Sequence, residues 1–168
     1  IINIDDKVGK ELKKTIKDRN INIITYGKSK NADWKIDEIL DIENYKTIKI
    51  SAYGKNYIIS TALNSGFHVE NAVAAACLSF ASGIPIENSL HSIKDLKPPA
   101  GRMQELISGK GTKIYIDFCH TPDALKNILN EKSSNKSRIF LVIGCGGNRD
   151  AKKRKMIGEI ASKYTFKT

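Results

Sequence analysis

Two short polar blocks, each lying between a predicted strand and a predicted helix, constrain the fold of this chain more than any other feature. The first is DFCHTPDA at residues 117–124, and the second is GCGGNRD at residues 144–150. Open α/β sheets place their ligand-binding loops outside the carboxyl ends of their strands. Two such blocks in consecutive strand–loop–helix units therefore predict one shared crevice in an α/β fold.

The first part of the chain is predicted to form a parallel sheet accompanied by a small antiparallel sheet. Two apolar runs flank a helix whose apolar stripe is Val8, Leu12 and Ile16, which is the pattern of a parallel strand–helix–strand unit. A glycine-containing turn at 53–56 then separates two alternating runs, as in a hairpin. The predicted strands are 1–4, 21–26, 36–42, 48–52 and 57–61, and the later predicted helices are 70–82 and 86–96.

Pro98 and Pro99 mark a predicted domain border, because proline lacks a backbone donor and cannot continue a helix. The first domain is predicted to cover residues 1–98 and the second 99–168. Strands and helices alternate after the border, as at the start of a Rossmann-like domain. The predicted strands are 103–107, 113–118 and 138–143, and the predicted helices are 122–132 and 151–164.

The formal net charge of +10 suits a nucleic acid, a membrane surface or an anionic small molecule. The lysines are scattered and have no aromatic interleaving, so a solvated surface is preferred to a nucleic-acid site. No apolar run is long enough to span a membrane, and no signal peptide is recognisable. The three cysteines form no CxxC pair. These features predict a cytoplasmic protein with reduced thiols.

The first block combines a helix start with two polar side chains. Thr121, Pro122 and Asp123 have the residue types that begin helices. Asp117 and His120 come just before them, and exposed N–H groups beside a histidine suit a phosphate. The alternative is that Asp117 and His120 only complete the capping network. The residues alone do not separate these two interpretations.

The second block is rich in glycine but matches neither common nucleotide-binding pattern. Arg149 stands where GxGxxG requires its third glycine, and no Gly-Lys-Ser/Thr sequence follows. Small residues let a ligand approach the backbone, and Arg149 offers a planar donor fork for a carboxylate or phosphate. The alternative is a tight turn with a surface arginine. Arg102, directly after the prolines, is either a surface residue or a ligand contact at a domain junction.

Taken in order, these blocks resemble the Mur ligase family. The family text reads GRME, DYAHTPDAL and GCGGDRD followed by KR, and upstream NxDD and GxFNVxN. This chain has NIDD at 3–6, GFHVEN at 66–71, GRMQ at 101–104, DFCHTPDAL at 117–125, GCGGNRD at 144–150 and KR at 153–154. The departures from the family text are His68, Glu70, Phe118, Cys119, Asn148 and Lys155.

The resemblance implies a cytoplasmic, monomeric ligase of peptidoglycan synthesis that uses ATP and Mg²⁺. Such an enzyme joins a diamino acid to UDP-MurNAc-L-Ala-D-Glu through an acyl phosphate, and it involves neither nucleic acid nor membrane insertion. The resemblance further implies that Arg149 contacts the incoming diamino acid. No catalytic residue or metal ligand is assigned within this chain. The residues expected to contact ATP are Asn71, Arg102, Asp117 and His120.

The chain is expected to be an internal fragment: the last part of a central ATPase domain and the first part of a Rossmann-like C-terminal domain. It contains no Walker A sequence, so the fragment alone is expected neither to hydrolyse ATP nor to form the amide bond. One alternative is a ligase like folylpolyglutamate synthase or cyanophycin synthetase, which shares the junction arginine but lacks GCGGNRD. Another is a non-catalytic basic module for RNA or an acidic partner, which the charge favours and the ordered motifs do not.

Overall fold

A computed structural model describes residues 1–17, 19–42, 45–133, 138–146 and 151–168. The chain divides into two compact units, Ile1–Met103 and Gln104–Thr168. Both combine helices with strands, so the predicted α/β class is confirmed. The assignment of residues 1–98 and 99–168 to two ligase domains stays a prediction. Within the described residues, no helix has the length and apolar character needed to cross a bilayer.

The first unit is built on a five-stranded sheet. Its strands, in spatial and chain order, are β1 (Ile2–Asn3), β2 (Thr25–Gly27), β3 (Trp34–Ile42), β4 (Tyr45–Ala52) and β5 (Lys55–Thr61). Strands β1, β2 and β3 pair in parallel, and β3, β4 and β5 pair antiparallel. The predicted parallel and antiparallel sheets are therefore one mixed sheet, because β3 pairs with β2 on one side and with β4 on the other.

The hairpin between β4 and β5 closes through a two-residue loop. Tyr53 and Gly54 both have positive φ, 48° and 77°, which is the requirement of a type I′ turn. Only glycine adopts such a φ without a steric cost. The predicted hairpin is confirmed, with a loop shorter than the four-residue signal in the sequence.

A β-bulge interrupts the pairing of β3 with β4 at Asp37. Ile36 pairs with Ile50, the next pair is Glu38 with Lys49, and Ile39 then pairs with Ile48. Side chains alternate between faces along a regular strand, so residues 36 and 39 would point to opposite sides. The extra residue at the bulge keeps both isoleucines on the face that packs against the core.

Helix α2 (Gly66–Ala81) covers this face of the sheet. Its buried side chains Val69, Val73 and Cys77 pack in one cluster with Trp34 and Ile48 of the sheet. The helix begins four residues earlier than predicted, since the Ser65 hydroxyl accepts the His68 N–H at 3.3 Å and caps it. It ends before Gly83, as predicted, and Gly83 has a φ of 96°. The later helix is α3 (Ile86–His91), followed by a 3₁₀ turn at Ser92–Asp95.

Helix α1 (Lys7–Thr15) approaches β1 through a glycine rather than through the predicted apolar stripe. The Asp6 carboxylate caps it by accepting the N–H groups of Val8 and Gly9. Val8 is 70% exposed and Leu12 is 47% exposed, so the apolar stripe does not form the packing face of the helix. A Cβ at Gly9 would lie 1.8 Å from the Asn3 carbonyl oxygen. Backbone contact at glycine therefore sets the position of this helix.

The described residues of the second unit form a small antiparallel sheet and two helices. Strands β6 (Gln104–Ile107) and β7 (Lys113–Ile116) pair with each other. Helices α4 (Pro122–Ser133) and α5 (Ala151–Tyr164) meet in a cluster that buries Leu125, Leu129 and Ile157. Met156 of α5 lies outside this cluster and is 48% exposed.

The predicted strand at 138–143 appears as an extended segment with a single bridge. Phe140 pairs with Lys167 in parallel, and the Phe166 N–H donates to the Ile139 carbonyl at 2.8 Å. The apolar letters correctly indicate an extended segment. The sequence does not indicate which backbone groups of this segment form hydrogen bonds to another strand. In the described part of the chain, the backbone partners are the residues around 167.

We expect Gly9→Ala to lower the free energy of unfolding by at least about 2 kcal/mol, because the added methyl would overlap the backbone of β1. Gly158→Ala is the matched control: it also lies within a helix, but its added Cβ would meet no atom within 4 Å. This control should gain about 0.5–1 kcal/mol from helix propensity. Urea unfolding followed by far-UV circular dichroism measures both, and an unchanged midpoint for Gly9→Ala would contradict the packing described here.

Candidate functional site

The polar block after β7 forms a tight turn that leads into α4. The Asp117 carboxylate accepts the Cys119 N–H at 2.7 Å, which fixes the chain just after the strand. The Thr121 hydroxyl accepts the Ala124 N–H at 3.3 Å and caps the helix. Pro122 is the buried first residue of α4, where a missing N–H has no cost. The predicted helix start is confirmed.

His120 is exposed, and its ring is oriented by its own segment of backbone. Its Nδ1 lies 3.1 Å from the Phe118 carbonyl oxygen, so the neutral ring carries its proton on Nδ1 and donates it there. The Phe118 ring packs edge-on against it with 5.4 Å between centroids. This assignment leaves Nε2 as an acceptor in the neutral ring and as a second donor in the imidazolium.

A cleft of about 130 Å³ in the second unit brings His120 together with the glycine-rich segment. The Arg154 guanidinium donates to the Gly146 carbonyl at 3.2 Å, so α5 is tied to that segment. Two cationic side chains, a histidine and closely approachable backbone suit an anionic group such as a phosphate or a carboxylate. The lining residues are His120, Ile143, Gly144, Cys145, Gly146, Lys153, Arg154 and Ile157.

The predicted site residues of the second unit differ in their position relative to the cleft. His120 lines the cleft, whereas Asp117 is half-buried in the preceding turn. Arg149 lies outside the described residues. Lys153 and Arg154 also line the cleft, whereas the sequence identified them only as the KR of the family text and gave them no role. The signal for their position was the short distance in sequence from Gly146 to the first turn of α5, which brings these side chains back over the glycine-rich segment.

The two predicted residues of the first unit are both exposed. Asn71 lies on α2, one helical turn beyond His68. Arg102 follows a turn in which its N–H donates to the Pro99 carbonyl at 3.1 Å. Gly101 has a φ of 68° in that turn, which a type II turn requires at its third position. The Arg102 backbone is thus fixed while its side chain faces solvent.

The buried Cys77 thiol and the half-buried Cys119 thiol are poorly suited to act as nucleophiles. Burial raises the pKa of the Cys77 thiol to about 12. Burial, together with the negative charge of Asp117, raises the pKa of the Cys119 thiol. The reactive thiolate is therefore scarce at neutral pH in both. Within the described ranges, no group of three or more His, Cys, Asp or Glu side chains is arranged to hold a metal ion.

Comparison with family profiles matches both units of the chain. The profile described as "Mur ligase middle domain" matches residues 1–79, and the profile described as "Mur ligase, glutamate ligase domain" matches residues 101–167. A curated relative from Clostridioides difficile, UDP-N-acetylmuramoyl-L-alanyl-D-glutamate–2,6-diaminopimelate ligase, is 31% identical over 166 residues. That alignment covers 98% of this chain and 34% of the relative. The chain spans about a third of the length of the curated relatives it matches.

Two solved structures have a similar fold. A structure of UDP-N-acetylmuramoyl-L-alanyl-D-glutamate–2,6-diaminopimelate ligase superposes with a TM-score of 0.62 and 26% identity, covering 98% of this chain and 34% of that one. The MurF ligase from Thermotoga maritima in complex with ADP gives a TM-score of 0.69 at 18% identity, with 92% and 35% covered. At that identity, the second comparison shows the fold alone.

We expect the thiols to be alkylated at very different rates near about pH 8. The exposed Cys145 should react first, Cys119 more slowly, and the buried Cys77 only on unfolding. Asp117→Asn should accelerate Cys119, because removing the negative charge lowers its raised pKa and increases the thiolate fraction. Peptide mass spectrometry after iodoacetamide treatment measures the rates. Asp123→Asn removes the same charge nearby and should leave Cys119 unchanged; equal rates in both variants would contradict the assigned cause.

Proposed function

Because the chain belongs to the Mur ligase family, we propose that it forms part of an ATP-dependent ligase that adds a diamino acid to UDP-MurNAc-L-Ala-D-Glu in peptidoglycan synthesis. The cleft that joins His120 to the glycine-rich segment is the observation that carries the proposal, since it unites the two blocks that define the family text. The substrate class is supported by the curated relatives, which are UDP-N-acetylmuramoyl-L-alanyl-D-glutamate–2,6-diaminopimelate ligases. We propose that the whole enzyme acts as a monomer in the cytoplasm.

The nucleotide is proposed to contact Asn71, Arg102, Asp117 and His120. The Asn71 amide offers one donor group and one acceptor, which can pair with the edge of adenine. Asp117 supplies a carboxylate that accepts hydrogen bonds from ribose hydroxyl groups. Arg102 and His120 supply donors suited to phosphate oxygens. Asn71 and Arg102 are exposed and Asp117 is half-buried, so a ligand can reach all three.

The incoming diamino acid is proposed to bind on the glycine-rich side of the cleft. Arg149 would hold a carboxylate through its planar donor fork. Lys153 and Arg154 line the cleft near the same segment and add positive charge to it. An amino acid bound there by its carboxylate would keep its amine available as the nucleophile.

In the proposed reaction, ATP supplies the phosphoryl group that converts the substrate carboxylate into an acyl phosphate. The amine then attacks the acyl carbon and forms the C–N bond, while the bond from that carbon to the phosphate oxygen breaks. Inorganic phosphate leaves with this oxygen, and the nitrogen loses a proton to give the amide. The residues of this chain orient the nucleotide and offset the negative charge that accumulates on the phosphate oxygens. Mg²⁺ is proposed to accompany ATP, held mostly by groups that this chain does not contain.

Two other functions would differ from this one in their substrates or in how their binding responds to salt and ATP. A ligase of the folylpolyglutamate synthase or cyanophycin synthetase type would use the same nucleotide contacts but a different acceptor. The GCGGNRD text favours the peptidoglycan substrate over these. A basic binding module for RNA would bind RNA with an affinity that falls steeply as the salt concentration rises and that does not change when ATP is added. A nucleotide affinity that depends on Asp117 would argue against such a module.

We expect Asp117→Asn to weaken ATP binding about tenfold or more, because the substitution removes a charged acceptor for the ribose. The amide oxygen of asparagine can still accept the Cys119 N–H, so the turn is retained. Asp123→Asn is the matched control, with the same charge change in the first turn of α4. Titration with a fluorescent ATP analogue measures both affinities. Unchanged binding by Asp117→Asn would remove this residue from the nucleotide site.

We also expect the polypeptide of 168 residues to bind ATP without turning it over, because its sequence contains no Walker A loop to hold the β- and γ-phosphates. A phosphate-release assay with Mg²⁺ and the pure polypeptide tests this expectation. Release above the rate of a heat-denatured sample, retained through a second purification step, would contradict it.

A further inference from the structure

A chain of hydrogen bonds in the first unit connects the start of α2 to the backbone beside Arg102. The Asn64 amide nitrogen donates to the Met103 carbonyl at 2.6 Å. The amide oxygen of the same side chain lies 3.2 Å from Nδ1 of His68. With the amide nitrogen committed to a carbonyl, the amide oxygen must be the acceptor, so Nδ1 of His68 is the donor. Asn64 is thereby oriented from both ends.

Met103 is held in an unusual conformation at the end of this chain of bonds. Its φ of 47° lies in the left-handed region, which a residue with a side chain adopts only at a steric cost. Its side chain is nonetheless completely buried. Burial of the side chain and the bond from Asn64 to the carbonyl together offset the cost of the backbone conformation. A strained backbone that is held from two sides is typical of segments that orient a functional group.

The residue before Met103 is Arg102, and its backbone is therefore fixed on both sides. The N–H of Arg102 is held by Pro99 in the turn at Gly101, and the following carbonyl is held by Asn64. The His68 end of the chain of bonds lies three residues before Asn71 on α2, a rise of about 4.5 Å along the helix. The bonds thus connect the two segments of this unit that carry the proposed nucleotide contacts.

We infer that Asn64, oriented by His68, is a positioning residue that fixes Arg102 for the nucleotide. This inference rests on the proposed function. Asn64 itself acts through the backbone of Met103. The inference gives His68 a role at a position where this sequence departs from the FNVxN text: its ring nitrogen provides the donor that fixes the Asn64 amide.

The test uses Asn64→Asp, which keeps the size of the side chain but replaces the donor to Met103 with an acceptor. We expect about tenfold weaker binding of a fluorescent ATP analogue. Arg102→Ala should weaken binding as well, and the double variant should bind no more weakly than Arg102→Ala alone. Asn88→Asp, an exposed change of the same kind on α3, is the control and should bind as the unsubstituted chain does.

Methionine-methyl NMR provides a readout that does not depend on nucleotide. The chain has two methionines, the buried Met103 and the half-exposed Met156. In Asn64→Asp, the Met103 methyl signal should become accessible to a soluble paramagnetic agent, while Met156 stays unchanged. Emission of the single, buried Trp34 reports whether the core of the unit remains folded. His68→Phe, which keeps Asn64 but removes its ring donor, should give a smaller change in the same direction and serves as the second variant.

A Met103 methyl that stays protected in both variants would overturn the inference, as would additive losses in the double variant. Failure of the unsubstituted chain to bind nucleotide would instead count against the proposed function, and the NMR result would still decide whether Asn64 holds the segment. The inference is supported if the Met103 methyl becomes accessible in Asn64→Asp and if this substitution weakens nucleotide binding only in chains that retain Arg102.

Discussion

The first unit depends on the burial of α2 against one face of the mixed sheet. Val69, Val73 and Cys77 can reach Trp34 and Ile48 because they recur at helical spacing on one side of the helix. Hydrophobic burial of this kind is not directional, so it fixes the helix on the sheet without fixing the segments beside it. Directional bonds supply that second level of order. Ser65 sets where the helix begins, and Asn64 connects that point to the segment of Arg102.

Most of the elements could be predicted because local physical signals specify them. The hairpin was visible from a glycine between alternating runs, and α4 was visible from a threonine cap followed by proline. Apolar spacing was misleading in α1, where Val8 and Leu12 face outward. There the packing contact is made by Gly9, and a glycine leaves no trace in an apolar pattern. The limited pairing of residues 138–143 was also hidden, because pairing depends on partners distant in the sequence.

The candidate site likewise has features that could be predicted from the sequence and features that could not. The residue types of the first block correctly indicated a polar turn that ends in a capped helix, and the structure shows how Asp117 and Thr121 form it. Lys153 and Arg154 could not be distinguished from surface lysines by composition, since only the return of α5 over the glycine-rich segment brings them into the cleft. The bond from Asn64 to Met103 joins residues 39 positions apart, and nothing local in either segment predicts it.

The bulge at Asp37 has a consequence for how this protein can change over evolutionary time. Parallel pairing fixes one end of β3 at Trp34, and the extra residue at Asp37 brings both Ile36 and Ile39 to the core. Insertion or deletion of a single residue between Trp34 and Ile39 would turn one of the two isoleucines away from the core. The length of this strand is therefore constrained from within, and changes in chain length at this part of the sheet are confined to the connections that flank the strand.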